Sequence, residues 1–305
     1  MPPDLMDITD QFQSLTPNQW LGIPVALVGA VFLALGAQFQ HRGVGKVEAK
    51  HGGQTGGMGF SSLFALLSRP SWVIGTVLLG LAIVLQLTSL YLSPIIVVQP
   101  LGAIALVITA VLNSSLSGVK LDRISIRAIL LCVAGVALFV GIAALFAESK
   151  PVSDGQLAVI LALLGVVTMG FSLAFAFLRN RFKAIGYIIA SGVLYGFVAT
   201  LAKVVIDRGK TGDFEWLTIT CIVALIAAAA LGAYFVQNAY ASGPPDLVIA
   251  GLTVIDPIVA VAIGVVVLQE AASAPLWAVV AFLAAGGLAV YGVFQLAKHH
   301  PQAQR

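Results

Sequence analysis

The sequence predicts an all-α integral membrane protein: about nine transmembrane helices, in two inverted four-helix repeats joined by a connector helix. Three observations point there. Hydrophobic residues are 59% of the 305 and charged residues 10%, where a soluble domain carries about 25% charged; the mean hydropathy is +1.02. The apolar residues fall into nine stretches, each able to span a hydrocarbon core of about 30 Å at about 1.5 Å per residue. The second half of the chain weakly repeats the first.

The stretches are residues 21–40, 72–92, 94–115, 124–146, 157–178, 186–206, 216–238, 247–268 and 276–296. The connections are short except 41–71, which holds a glycine-rich run at 52–59 and an apolar piece at 60–67. That piece is too short to span, and reads as interfacial or re-entrant. Asp4, Asp7 and Asp10 precede the first stretch with no basic region, which reads as a tail and not as a cleaved signal peptide. Trp20, Trp72, Trp216 and Trp277 stand near the starts of stretches, where interfacial anchors belong.

Sorted by loop, twelve of the sixteen Lys and Arg fall on the side of 41–71 and three on the other. Basic loops stay in the cytoplasm. The N-terminus is therefore expected outside and the C-terminus inside, in the cytoplasmic membrane.

A shift of 151 lays Gln86 on Gln237, Pro94 on Pro245, Gly135 on Gly286 and Gly141 on Gly292. Stretches two to four then match seven to nine. Stretch one matches six, with Arg42-Gly43 opposite Arg208-Gly209. Five crossings separate the halves, so the second is inserted upside down. The chain divides into a tail at 1–20, a first repeat at 21–146 with the cytoplasmic loop 41–71, a connector at 147–183, a second repeat at 184–298 and a tail at 299–305. Carriers built this way place the substrate at the repeat interface near the midplane.

The polar residues inside the stretches are the candidate site. Asp256 lies near the middle of stretch eight. A carboxylate there costs about 2.5 kcal/mol or more to insert, and so should face protein or a water-filled cavity. Pro257 cannot donate to the Thr253 carbonyl, and Pro100 cannot donate to that of Ile96, so both prolines are read as helix breaks that free backbone oxygen. Gln86, Gln99, Gln237 and Asn238 can line a cavity, or can hydrogen-bond helix to helix at about 0.6 kcal/mol each. Lys203 shares a face with Gly192, Gly196 and Thr200. It either reaches outward to Asp207 or turns inward to Asp256, where it would oppose cation binding. Stretches four, five and nine carry no Asp, Glu, Lys or His, and Arg127 of stretch four lies near its start, so they read as scaffold and lipid-facing helices. Cys132 and Cys221, each alone in an apolar stretch, read as small core residues.

Residues 72–147 resemble the NIPA magnesium-transporter family, a branch of the drug/metabolite transporter superfamily. The resemblance is carried by Ser93-Pro94-Ile95-Ile96-Val97-Val98-Gln99-Pro100-Leu101-Gly102-Ala103. Residues 186–203 and 237–270 are similar to that family's second half. Pro245-Asp246, Asp256-Pro257 and Glu270 resemble the EamA-type repeat of the superfamily. The likeness covers most of 20–298. Val119 departs from it, standing where the repeat would place a glutamate like Glu270. The resemblance implies a carrier, with Mg²⁺ as the branch's substrate.

Two substrates stay open. Hydrated Mg²⁺ would take outer-sphere contacts from Asp256, Gln99, Gln86 and freed carbonyls. A proton-coupled exporter of a small organic metabolite or drug would need only one titratable group, and Asp256 suits that too. A different class is a lipid-processing or structural membrane protein. The catalytic form would need His, Glu or Ser clustered on facing helices, and His41, His51, His299 and His300 all lie outside the stretches. Phosphate loops, zinc spacings and hydrolase elbows are absent. Enzymatic chemistry and cofactors are therefore not expected, and no metal ligand set is assigned. The partners expected are a small solute or ion and the bilayer, without nucleic acid. Homodimerisation stays open.

Overall fold

A computed structural model of the protein describes residues 17–51, 68–117, 122–178, 184–212, 215–243 and 245–298. Among them there is no strand, and nine helical segments are long and apolar enough to cross a membrane. They are α1 (Pro17–His51), α2 (Pro70–Leu92), α3 (Ile95–Val98, Gln99–Gly102 and Ala103–Ser117), α4 (Arg123–Phe146), α5 (Asp154–Leu178), α6 (Ala184–Thr211), α7 (Trp216–Ser242), α8 (Pro245–Val266) and α9 (Leu276–Lys298). The protein is an all-α, multi-pass membrane protein.

Two local features depart from the sequence reading. Residues 41–51 are helical and not loop: α1 continues past Gln40 to His51. Hydropathy marks only the part of a helix that meets lipid, and Lys46, Glu48, Ala49 and Lys50 are good helix formers. The run 52–59 and the piece 60–67 lie outside the described residues.

The two prolines behave differently. α3 runs as Ile95–Val98, a 3-10 turn Gln99–Gly102, and Ala103–Ser117. Pro100 thus tightens and interrupts the helix. Pro257 does not break α8, which is continuous from Pro245 to Val266. One missing N–H is tolerated in a membrane helix when its neighbours enclose the freed carbonyl.

Helix packing follows the small residues. α1 packs on α2 and on α3, and α6 on α7 and on α8. A Cβ on Gly192 or Gly196 of α6 would strike Ile255 or Val259 of α8, at 2.7 and 2.6 Å. α4 pairs with α9 in an antiparallel seam, Gly135 lying against Ala289 and Gly292 against Cys132. Phe139 meets Phe282 farther along, with ring centroids 5.2 Å apart. Close approach of backbones through Gly and Ala is how helices gain van der Waals contact in lipid. α5 is the span least enclosed by the others. Phe177, 84% exposed, and Val166 would meet lipid there.

Candidate functional site

Asp256 sits mid-helix on α8, one residue on from the Ile255 that packs against Gly192. Its carboxylate is close enough to Tyr195 of α6 to interact electrostatically, and Tyr240 of α7 acts on the same phenol. The oxygen Oδ1 is buried and accepts no hydrogen bond from a described residue. A buried carboxylate oxygen without a donor is costly.

The prolines come together although they act differently on their helices. Pro100 and Pro257 line one cavity of about 90 Å³ between α3, α4, α8 and α9, with Phe139, Thr253 and Val290 among its walls. The lining is mostly apolar, and none of the polar site candidates belongs to it. Next to it in the chain, Gln99 is 6% exposed on the 3-10 turn, which packs on α8.

The other amides are not gathered there. Gln86 is half-buried on α2. Gln237 is exposed on α7, and Asn238 donates to its own helix, Nδ2 to Tyr234 O at 2.8 Å. The repeat pairing of Gln86 with Gln237 therefore does not bring the two to one cavity wall.

Lys203 neither snorkels to water nor pairs with Asp256. It is 1% exposed. Its ammonium donates to Leu90 O (2.9 Å), Ser93 O (3.1 Å) and Ser149 Oγ (3.2 Å), and pairs with Asp207 Oδ2 at 3.2 Å. Four oxygens replace the water a buried cation loses.

In the sequence Glu270 carries only a family resemblance, and the structure gives it a place. Gln269 takes positive φ (56°) after α8 and turns the chain back. Glu270 N then donates to Gly264 O at 3.0 Å. The carboxylate accepts from Ile95 N at 2.9 Å and Ile96 N at 3.0 Å. A Cβ on Gly264 would lie 2.6 Å from Ile95 and 3.2 Å from Glu270 Oε2, so glycine makes the room. Burial outweighs the lowering by Lys203 and the two N–H groups and leaves the Glu270 carboxyl raised to about 7. A signal for this contact existed: Pro94 starts a helix whose first N–H groups have no helical partner, and such donors attract a carboxylate.

Among the described residues, no group of three or more His, Cys, Asp or Glu converges to hold a metal ion. The arrangement offers one mid-helix carboxylate, a buried amide on the 3-10 turn, an apolar cavity between two prolines, and a buried charge cluster at one end.

No family model matches the chain, and no solved structure matches it. Over 126 residues it is 29% identical to probable magnesium transporter NIPA4 of Arabidopsis thaliana and, over the same length, 27% identical to probable magnesium transporter NIPA3. Those alignments cover 41% of this chain and 35% and 33% of the plant proteins, so it matches about a third of their length. Over 258 residues it is 30% identical to an uncharacterized protein of Corynebacterium glutamicum, across 82% of this chain and 85% of that one. With identity sustained over so much of both sequences, this multi-pass membrane protein belongs to the family of the Corynebacterium glutamicum protein.

Proposed function

We propose that this protein is a secondary transporter that moves a small solute across the cytoplasmic membrane by alternating access. The observation that carries the reading is Asp256: a carboxylate at mid-span whose Oδ1 is buried without a hydrogen-bond donor. Internal symmetry supports it. The shift of 166 that sets Arg42 on Arg208 also sets buried Ala26, Ala30 and Ala34 on Gly192, Gly196 and Thr200. The matched helices choose matched partners, α1 on α2 and α3, α6 on α7 and α8. Two inverted four-helix halves joined through α5 are the reading this favours, and α4 and α9, themselves a matched pair, pack on each other.

Mg²⁺ is the substrate suggested by the names of the plant relatives. One midplane carboxylate suits a cation that keeps several of its waters and meets protein through them. The apolar cavity at Pro100 and Pro257 favours a second reading, a small organic solute exchanged for protons. Purified protein in proteoliposomes, given Mg²⁺ and organic solutes side by side, with and without a proton gradient, separates the two. Saturable Mg²⁺ flux is the expected result. Flux of an organic solute driven by the gradient would favour the second reading. No flux of either would count against transport.

Orientation has its own test. With Cys132 and Cys221 replaced by alanine, Lys150→Cys should react with an impermeant thiol reagent added to intact cells, and Arg42→Cys and Lys298→Cys should react only after the membrane is opened. The reverse pattern would overturn both the N-outside orientation and the assignment of ends used below.

A further inference from the structure

The Lys203 cluster has a direction. Lys203, Asp207 and Lys210 lie at i, i+4 and i+7 on one face of α6. Lys210 Nζ bonds Asp207 Oδ1 at 3.0 Å, contacts the Tyr91 carbonyl and lies 4.3 Å from the Tyr91 ring centroid. The two lysines thus hold main-chain carbonyls of Leu90, Tyr91 and Ser93. These carbonyls belong to the end of α2, where a helix leaves its last acceptors open. Across the same turn, Glu270 holds the N–H groups of Ile95 and Ile96. The connection from α2 to α3 is gripped from two sides, by cations on its carbonyls and an anion on its amides. All the gripping side chains come from the second half of the chain, and the gripped backbone from the first.

The sequence does not repeat these charges at the positions that match them in the first half. At the shift of 166, Ala37, His41 and Val44 stand for Lys203, Asp207 and Lys210; at the shift of 151, Val119 stands for Glu270. α2 packs against α6, whereas α1 and α7, the matching pair, touch marginally at most among the described residues.

We propose that the turn Leu90–Ile96 is the extracytoplasmic gate of the carrier, and that Lys203, Lys210 and Glu270 form a clasp that holds it shut in the conformation seen here. The proposal rests on the transporter reading and on the orientation given above. Charge-assisted bonds to backbone suit a gate. When the turn swings away, the released carbonyls and amides meet water, so opening leaves no polar group stranded. A permanent staple would gain more from apolar packing, because a buried ion pair gives little net stability. Outward opening requires release of the lysines and the glutamate.

The test reads accessibility and not transport alone. In a Cys132→Ala, Cys221→Ala background, Gln99→Cys places a thiol about one and a half helical turns below Pro94. An impermeant maleimide added from the extracytoplasmic side should label it slowly. Glu270→Gln and Lys203→Met should each raise that rate at least about fivefold, by shifting population toward the open gate. In the same background without Gln99→Cys, oxidising a Tyr91→Cys, Lys210→Cys pair should lower flux at least about tenfold, with recovery on reduction. If Lys203→Met does not accumulate, Glu270→Gln carries the same measurement. Unchanged labelling in a clasp variant that elutes as folded protein would overturn the proposal, as would full flux by the cross-linked pair. Labelling that responds as expected in a protein without flux would keep the gate and remove the solute reading.

Discussion

Asp256→Asn is expected to lower flux by roughly two orders of magnitude while insertion and folding stay normal. The amide keeps the shape of the carboxylate and loses its charge and its titration. Little structure is lost with it, because Oδ1 accepts no hydrogen bond from a described residue. A lysine partner is the obvious structural alternative, and Lys203 is committed elsewhere, to Asp207, Ser149 and two carbonyls. Adding Lys203→Met to Asp256→Asn should therefore restore neither flux nor stability. A double-mutant cycle on melting temperature, with flux measured in parallel, checks both statements. Normal flux by Asp256→Asn at normal expression would sink the assigned role. Rescue by the double change would mean that the two side chains are a structural pair after all.

The largest effect on stability is expected at the seam between α4 and α9. A Cβ on Gly135 would lie 2.5 Å from Ala289 N and 2.8 Å from its Cα. One on Gly292 would lie 2.5 Å from Cys132 N. These are backbone atoms and cannot turn aside as a side chain tip can. Gly135→Val should cost about 3 kcal/mol or more, seen as loss of the monodisperse peak after detergent extraction. Gly141, on the same helix, has nothing within 4 Å of its would-be Cβ. Gly141→Ala should be neutral or slightly stabilising, because alanine restricts the unfolded chain. A Gly135→Val protein that melts with the native one would show that the seam is looser than its geometry.

How much could be read beforehand depended on the physics involved. The nine spans follow from hydropathy and length, and structure and sequence agree on them within a few residues at most ends. The close helix contact at Gly192 and Gly196 was also legible, since small residues four apart share a face. The polar residues were harder, because a sequence names a group without naming its partner. Lys203 had two plausible acids, Asp207 and Asp256, and only the fold selects Asp207 and adds three further acceptors. Gln237 matched Gln86 by register, yet register does not say which way a helix faces, and Gln237 is exposed. Pro257 resembled Pro100 on paper. The structure separates them: α8 stays whole through Pro257, while α3 tightens into a 3-10 turn at Pro100.

The seam also sets the order of biogenesis. Most helices pair with a partner made soon before or after them, as α1 with α2 and α6 with α7. α4 does not. A further 129 residues separate its end at Phe146 from the start of α9 at Leu276. At about 5–20 residues per second of synthesis, α4 waits roughly 7–26 seconds in the bilayer before its partner exists. During that interval the face carrying Ala128, Cys132 and Gly135 meets lipid, which an apolar surface of small residues tolerates without exposing a polar group. Docking of α9 is therefore a late, post-insertion step. A bulky residue at Gly135 would yield chains threaded with native topology that fail only at final closure, the kind of substrate that membrane quality-control proteases remove.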